Sequence, residues 1–231
     1  MNDLEDESAK EWYDESNFDF MREQQLEIEW LRKNPHNEIL ASSIDKLDSI
    51  IALKLTEDSD FFIKMQFSYA VTVMESCLQE MLKSLVMTSD FYIENALGNI
   101  HELSVQKYSL SEAFKIDVRK NLRNRVLEHL SSLLYHKIDK VVEIYRAILD
   151  MKDISRVDKS SVSKITSLRH DIVHRDGKTM KGLEIYMTFD DLYCYIESIK
   201  RFIGEMHGFI SDSVENQEAI QLAEFKRVFG G

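Results

Sequence analysis

The stretch DFFIKMQFSYAVTVMESCLQEMLKSLVM, residues 60–87, decides the fold of this chain. It is rich in Phe, Met, Val and Leu, and apolar side chains recur along it at intervals of three and four residues, as at Val71, Leu78, Leu82 and Leu85. Side chains at these intervals share one face of an α-helix. The sequence therefore predicts a long core helix from about Asp60 to Met87.

The rest of the chain favours the same kind of structure. Among 231 residues there are one proline, Pro35, and seven glycines, which disfavours turn-rich β architecture and favours long helices. We predict an all-α fold with a bundle of four to five main helices. The bundle spans 58–211, after an acidic helical N-terminal extension, 1–57, and before a C-terminal tail, 212–231.

Helix boundaries are marked by breaks and capping residues. The segments 34–37 and 56–60 are polar breaks, Gly177 suits a left-handed helix end, and Thr188 with Asp191 resembles a capping box. Ser111 is a candidate N-cap. The predicted helices are 5–33, 38–55, 60–87, a short one within 90–103, one or two within 111–151, 158–176 and 189–211.

The composition of the chain bears on where in the cell the protein is expected. The chain has no apolar run of 18 residues, so we expect no membrane span, and residues 1–7 lack the apolar stretch of a secretory signal. Cys77 and Cys194 lie in apolar helical patterns, which favours reduced core thiols. These features predict a cytoplasmic protein.

Charge is unevenly distributed along the chain. The formal net charge of −12 disfavours nucleic-acid binding by the chain as a whole. However, residues 1–20 carry eight acids and one base, whereas residues 164–181 carry five bases and two acids. A phosphate ligand therefore remains possible at 164–181, and we expect the acidic arm, 1–20, to weaken RNA binding by covering that basic segment.

The basic segment contains an arginine and a histidine suited to phosphodiester chemistry. In Arg169-His170-Asp171-Ile172-Val173-His174, the arginine is a permanent cation that can bind phosphate oxygens with two hydrogen bonds. The histidine is the side chain that transfers protons near pH 7. On a straight helix, Arg169 and His174 lie about 140° apart. They can act on one phosphate only if the helix loosens, if both reach one groove, or if two copies of the chain combine.

The motif and the order of helices around it resemble the HEPN superfamily of helical ribonucleases. The local string 168–177, LRHDIVHRDG, is similar to the R-x4-H motif helix of RiboL-PSP-type members. An earlier long helix with an embedded acid, 67–75, and a closing helix from Phe189 extend the resemblance over residues 58–211.

The resemblance implies metal-independent RNA cleavage that leaves a 2′,3′-cyclic phosphate and a 5′-hydroxyl, without a cofactor, and a role as a toxin or defence effector. It implies that His174 is the general acid or base, that Arg169 stabilises the transition state, and that His170 orients the site. It also implies a homodimer. Some members pair with an antitoxin that modifies a tyrosine just after the motif histidine, but here no tyrosine occurs until Tyr186. An antitoxin or other regulatory protein is therefore a possible partner only.

Other residues are candidates to support the site. Glu75 falls within the apolar stripe of the core helix, where it either pairs with Arg169 or reaches solvent at the stripe's edge. Asp171 is a second supporting residue. The candidate RNA-binding residues are Arg175, Lys178, Arg119 and Arg123, whose basic segments could also be ordinary solvated helix surface.

Two alternatives stay open. His170 and His174 are spaced as in the H-E-x-x-H zinc motif, with Asp171 in place of the glutamate, and His207 or Glu184 would have to supply a third ligand. We expect no metal. The other alternative is a catalytically inactive HEPN-like module that binds a protein or RNA partner. The aromatics Phe61, Phe62, Phe67 and Tyr69 are expected in the core rather than on a base-stacking surface.

Overall fold

The computed structural model describes residues 22–23, 25–53, 59–105, 117–151 and 157–229. Within these ranges the regular structure is helical, apart from one isolated antiparallel bridge between Lys178 and Glu184. The predicted all-α class is confirmed. The acidic arm 1–20 and the proposed cap Ser111 lie outside the described residues.

The described residues form nine helices, numbered in chain order. Residues 25–33 form α1, and Pro35 directly precedes α2. The remaining bounds are α2 His36–Ala52, α3 Asp60–Thr88, α4 Asp90–Asn99, α5 His101–Ser104, α6 Val118–Ser132, α7 Ile138–Leu149, α8 Lys159–His174 and α9 Phe189–Phe229.

Helix α3 lies at the centre of the molecule. It packs against α2, α4, α6, α8 and α9, and from Phe67 onward most of its side chains are buried. The fully buried Tyr145 of α7 donates its hydroxyl to the carbonyl oxygen of Leu78 at 2.6 Å, which satisfies a polar group that burial would otherwise penalise. The predicted core helix is therefore the element around which the others assemble.

Helices α1 and α2 join the same core as the bundle. Leu31, Ile39 and Leu47 are buried in one hydrophobic cluster with the side chains of α3. Lys83 of α3 is also buried, and its Nζ lies 2.5 Å from an Oε atom of Glu27 in α1. Residues 25–52 of the predicted extension thus pack on the bundle.

The predicted end of the last helix near Ser211 is wrong, because α9 continues to Phe229. Its side chains are buried as far as Ile210 and Ser213, and beyond them the helix is largely exposed. Residues 212–229 contain no glycine or proline to end the helix, so it extends past the surface that buries it.

The two cysteines differ in environment. Both are free, and Cys77 is buried in α3, where burial raises the pKa of its thiol to about 11. Cys194 is exposed on α9, so the predicted core position is wrong for this residue. In the part of the chain that the structure describes, no helix is both long and apolar enough to cross a membrane.

Candidate functional site

Helix α8 presents the motif residues from a well-anchored position. Its N-cap Asp158 accepts a hydrogen bond from the backbone N–H of Ser161 at 3.1 Å. One side of the helix packs against the core, with Val162 and Ile165 buried and two further residues partly buried. The partly buried residues are Leu168 and Ile172.

The C-terminal end of α8 is a left-handed turn directly after His174. Asp176 and Gly177 both have positive φ, +53° and +72°, and the N–H of Gly177 donates to the carbonyl oxygen of Ile172 at 3.1 Å. This bond spans five residues, as in a Schellman cap. The left-handed conformation predicted for Gly177 is present, although Asp176 is the first residue to adopt it.

The chain then returns to the bundle through a short hairpin. The N–H of Ile185 donates to the carbonyl of Gly177 at 2.8 Å, and the N–H of Met187 donates to Oδ1 of Asp60 at 2.8 Å. At the start of α9, Thr188 and Asp191 exchange side-chain-to-backbone hydrogen bonds of 2.9 and 3.2 Å. The predicted capping box is confirmed.

The two motif histidines lie together on an exposed flank of α8. The ring centroids of His170 and His174 are 4.8 Å apart, and both side chains are exposed. They occupy successive turns of the helix, as their spacing requires. Solvent and a ligand can therefore reach both rings.

Arg169 lies on the inward side of the same helix and is half-buried. Its Nε is buried without a hydrogen-bond partner, and among the described residues its guanidinium group has no ion pair within 4.0 Å. A buried N–H donor without an acceptor is costly in free energy. Arg169 is therefore a half-buried cation that can still accommodate an anion.

Glu75 of α3 faces this arginine without bonding to it. Its Oε1 is buried and has no hydrogen-bond partner among the described residues. Burial raises the pKa of Glu75, while the charges of Arg169 and His136 act in the opposite direction. The charges of Glu75 and Arg169 thus act on each other, but among the described contacts no ion pair within 4.0 Å or hydrogen bond joins them.

His136 completes this cluster and was missed from the sequence. It lies in the turn between α6 and α7, with Nδ1 3.9 Å from Oε1 of Glu75, and its side chain is 44% exposed. No local motif marks His136, because only the packing of the turn against α3 brings it near Glu75. We call Arg169, Glu75 and His136 the charged trio.

Three of the four candidate RNA-binding residues have a carboxylate neighbour. Nε of Arg175 lies 3.0 Å from Oδ1 of Asp171, one turn earlier on α8. Arg119 and Arg123 of α6 both contact Asp90 at 3.0 Å, while Lys178 is exposed in the hairpin. Asp171 thus supports Arg175 rather than the motif histidines.

A groove of about 450 Å³ lies between the start of α3 and the end of α8. Phe61, Met65 and Val173 line it and are exposed. The predicted core positions of Phe61, Phe62 and Tyr69 are wrong, since only Phe67 is buried. The first two turns of α3 are covered on one side only, so apolar side chains on their other side face solvent.

The candidate third zinc ligands are occupied elsewhere. Nε2 of His207 lies 2.6 Å from Oδ1 of Asn37, and its ring packs on His36. Glu184 accepts a hydrogen bond from the hydroxyl of Tyr186 at 2.8 Å. Among the described residues, no three His, Cys, Asp or Glu side chains are grouped to hold a metal.

Comparisons of the chain with protein-family models, with curated proteins and with solved structures found no match.

Proposed function

We propose that the chain is a metal-independent endoribonuclease of HEPN type that acts as a toxin or defence effector. Arg169 binds the scissile phosphate and His174 transfers a proton. The observation that carries this proposal is the state of Arg169, a half-buried guanidinium with an unpartnered Nε, on the same helix as two exposed histidines. The proposal also rests on the resemblance of residues 168–177 to the family motif.

The unpartnered arginine fits an anion better than it fits a structural role. A structural half-buried arginine is normally bonded to a carboxylate or carbonyl group. Here Glu75 supplies a nearby negative charge but no hydrogen bond, and the Nε donor is left unsatisfied. Two oxygens of a phosphodiester would satisfy the guanidinium and would receive charge stabilisation as the pentacoordinate transition state forms.

The reaction needs two proton transfers and no metal. The 2′-oxygen attacks the adjacent phosphorus, the bond from phosphorus to the 5′-oxygen breaks, and a cyclic phosphate and a 5′-hydroxyl are formed. A base accepts the 2′-hydroxyl proton and an acid supplies a proton to the departing 5′-oxygen. His174 serves in one of these roles, and His170, with its ring 4.8 Å away, orients it or the phosphate.

A homodimer would bring the arginine and the histidine to one substrate. Arg169 faces α3 whereas His174 lies on an exposed flank, so one α8 helix does not direct both toward the same point. The exposed apolar groove beside α8 gives such a dimer a surface to bury. Light scattering over a dilution series should show a dimer, and full specific activity in dilute monomer would contradict it.

The same groove favours a second candidate function, a catalytically inactive HEPN-like module that binds a partner. Exposed Phe61, Met65 and Val173 form an apolar surface next to the motif helix. An antitoxin or other regulatory protein could bind there as readily as a second copy of the chain. In this case RNA would be bound without cleavage, or not bound at all.

Cleavage of single-stranded RNA in EDTA separates the two candidates. The wild-type protein should generate cyclic-phosphate ends, and His174→Ala and Arg169→Lys should lose most activity, since a point charge cannot replace the bidentate guanidinium. His101→Ala is the matched control, because His101 is exposed on the short helix α5. Equal activity in all three variants would remove this site from consideration, and dependence on added zinc would favour a metal enzyme.

A further inference from the structure

In the charged trio, one carboxylate lies between two groups that can carry a positive charge. Glu75 contributes a half-buried carboxylate, which faces the guanidinium of Arg169 from α8 and the imidazole of His136 from the turn after α6. These are the two charged or titratable groups in the described structure whose charges act on Glu75. One carboxylate is therefore shared between a permanent cation and a cation that exists only when its ring is protonated.

We infer that His136 regulates, through Glu75, how strongly Arg169 binds phosphate. The inference rests on the proposed role of Arg169 as the phosphate ligand. It makes His136 a positioning residue that need not touch the substrate. The ligand remains the phosphodiester of a single-stranded nucleic acid.

The direction of the effect follows from the charges. With neutral His136, the negative charge of Glu75 offsets that of Arg169, and an incoming phosphate competes with the carboxylate. A proton on His136 gives the trio a net charge of +1 and draws Glu75 toward the imidazolium, 3.9 Å away. Phosphate binding should therefore be tighter at acid pH, where an imidazole is protonated, than at alkaline pH.

The unpartnered atoms of Glu75 and Arg169 allow His136 to influence the arginine through the carboxylate. Oε1 of Glu75 and Nε of Arg169 are both buried and unpartnered in the described structure, so neither is committed to another group. Glu75 can therefore turn toward either cation without breaking an existing hydrogen bond of these atoms. Coulomb interactions between the half-buried Glu75 and Arg169 are also screened less by solvent than those of exposed pairs.

The test measures binding of a fluorescein-labelled single-stranded DNA oligonucleotide, which has phosphodiesters but no 2′-hydroxyl and so is not cleaved. The full chain carries His170→Gln and His174→Gln, which removes the titration of the motif histidines. Affinity is measured at pH 6.0 and 8.0 at one ionic strength. We expect about fivefold tighter binding at pH 6.0.

Added substitutions identify the source of that pH dependence. His136→Gln should reduce it to less than about twofold, whereas His101→Gln, an exposed control on α5, should leave it unchanged. Glu75→Gln should bind tightly at both pH values, because no carboxylate then competes for Arg169. A pH dependence that survives His136→Gln, or weaker binding at pH 8.0 in Glu75→Gln, would overturn the inference.

Arg169→Gln distinguishes failure of the inference from failure of the proposed function. If Arg169→Gln binds the oligonucleotide as well as its parent, Arg169 is not the phosphate ligand and both ideas fail. If it binds more weakly while His136→Gln keeps the full pH dependence, the phosphate ligand stands and only the role of His136 is wrong. His136 is 44% exposed, so its replacement should leave the fold intact.

Discussion

Arginines at two places in this molecule have opposite surroundings. On α6, Arg119 and Arg123 both contact the carboxylate of Asp90 at 3.0 Å. On α8, Arg169 is half-buried, and no described carboxylate lies within ion-pair distance of it. In the sequence both places are basic segments, and both were candidates for contact with RNA.

The comparison shows that a tertiary neighbour decides whether an arginine is available to a ligand. Asp90 is the first residue of α4, where a carboxylate also interacts favourably with the helix dipole. It compensates the arginines before any RNA arrives, and RNA would have to displace it. Glu75 lies close enough to influence Arg169 but leaves the guanidinium unbonded. Helix α8 therefore differs from α6 in having an arginine that no carboxylate binds, and not in its density of basic residues.

The largest expected effect is on RNA cleavage, when the unpaired Arg169 is replaced and the paired Arg119 is replaced for comparison. Arg169→Gln should lower the rate of RNA cleavage by about 100- to 1,000-fold, the usual cost of removing a donor that stabilises transition-state charge. Arg119→Gln should change the rate by no more than about twofold, because its side chain is 80% exposed and already paired with Asp90. Initial rates with one RNA substrate measure both.

Thermal unfolding of the two variants is the control for this comparison. Both should unfold close to the wild-type temperature, since Gln keeps the first three side-chain carbon positions of Arg and replaces only its polar end. Similar losses of cleavage in both variants would mean that RNA extends across α6, and the contrast between the two places would then have no functional meaning.

A smaller effect is expected from freeing the paired arginines. Asp90→Asn removes two ion pairs and a charge at the N-terminus of α4, and it should reduce the free energy of unfolding by about 1–2 kcal/mol. It should also raise RNA affinity a few-fold at low salt, with the gain lost at high salt. Urea unfolding and binding titrations at two salt concentrations measure these changes. Unchanged affinity at low salt would show that α6 does not face the RNA.

Features encoded by neighbouring residues were predictable from the sequence. The buried stripe of α8, the capping box of Thr188 and Asp191, and the extent of α3 each follow from side chains a few residues apart. The same local rules failed where the answer depended on which surface is covered. The exposure of Phe61 and Cys194 is set by the neighbours of α3 and α9.

The charged trio illustrates the same limit at the candidate site. Arg169 was identified by its spacing from His174, and Glu75 by its place within an apolar stripe. His136 carries no such mark, and it reaches Glu75 only because the turn between α6 and α7 packs beside α3. Likewise, the pairing of Asp90 with Arg119 and Arg123 joins α4 to α6 across a segment that has no recognisable motif. Contacts between distant segments require the assembled bundle.

The smallest expected effect tests how well Arg169 compensates Glu75 in the folded protein. Burial raises the pKa of Glu75 above its ordinary value, despite Arg169 and His136. Its stabilising contribution is therefore fully present below the pKa of the unfolded chain, and it is lost as pH rises through the higher pKa of the folded state. At pH 7 the ionised carboxylate should thus make folding less favourable than it is at acid pH.

Glu75→Gln removes this ionisation while keeping the shape of the side chain. Relative to wild type, the Glu75→Gln variant should therefore be more stable at pH 7.0 than at pH 4.0, with a difference of about 0.5 kcal/mol in the free energy of unfolding. Asp191→Asn is a control of opposite sign, because the hydrogen bonds from Thr188 lower the pKa of Asp191, and its contribution is lost as pH falls. Urea unfolding at both pH values measures the two trends. If Glu75→Gln were instead more damaging at pH 7.0, Arg169 would already be committed to Glu75, and the contrast with Arg119 and Arg123 would disappear.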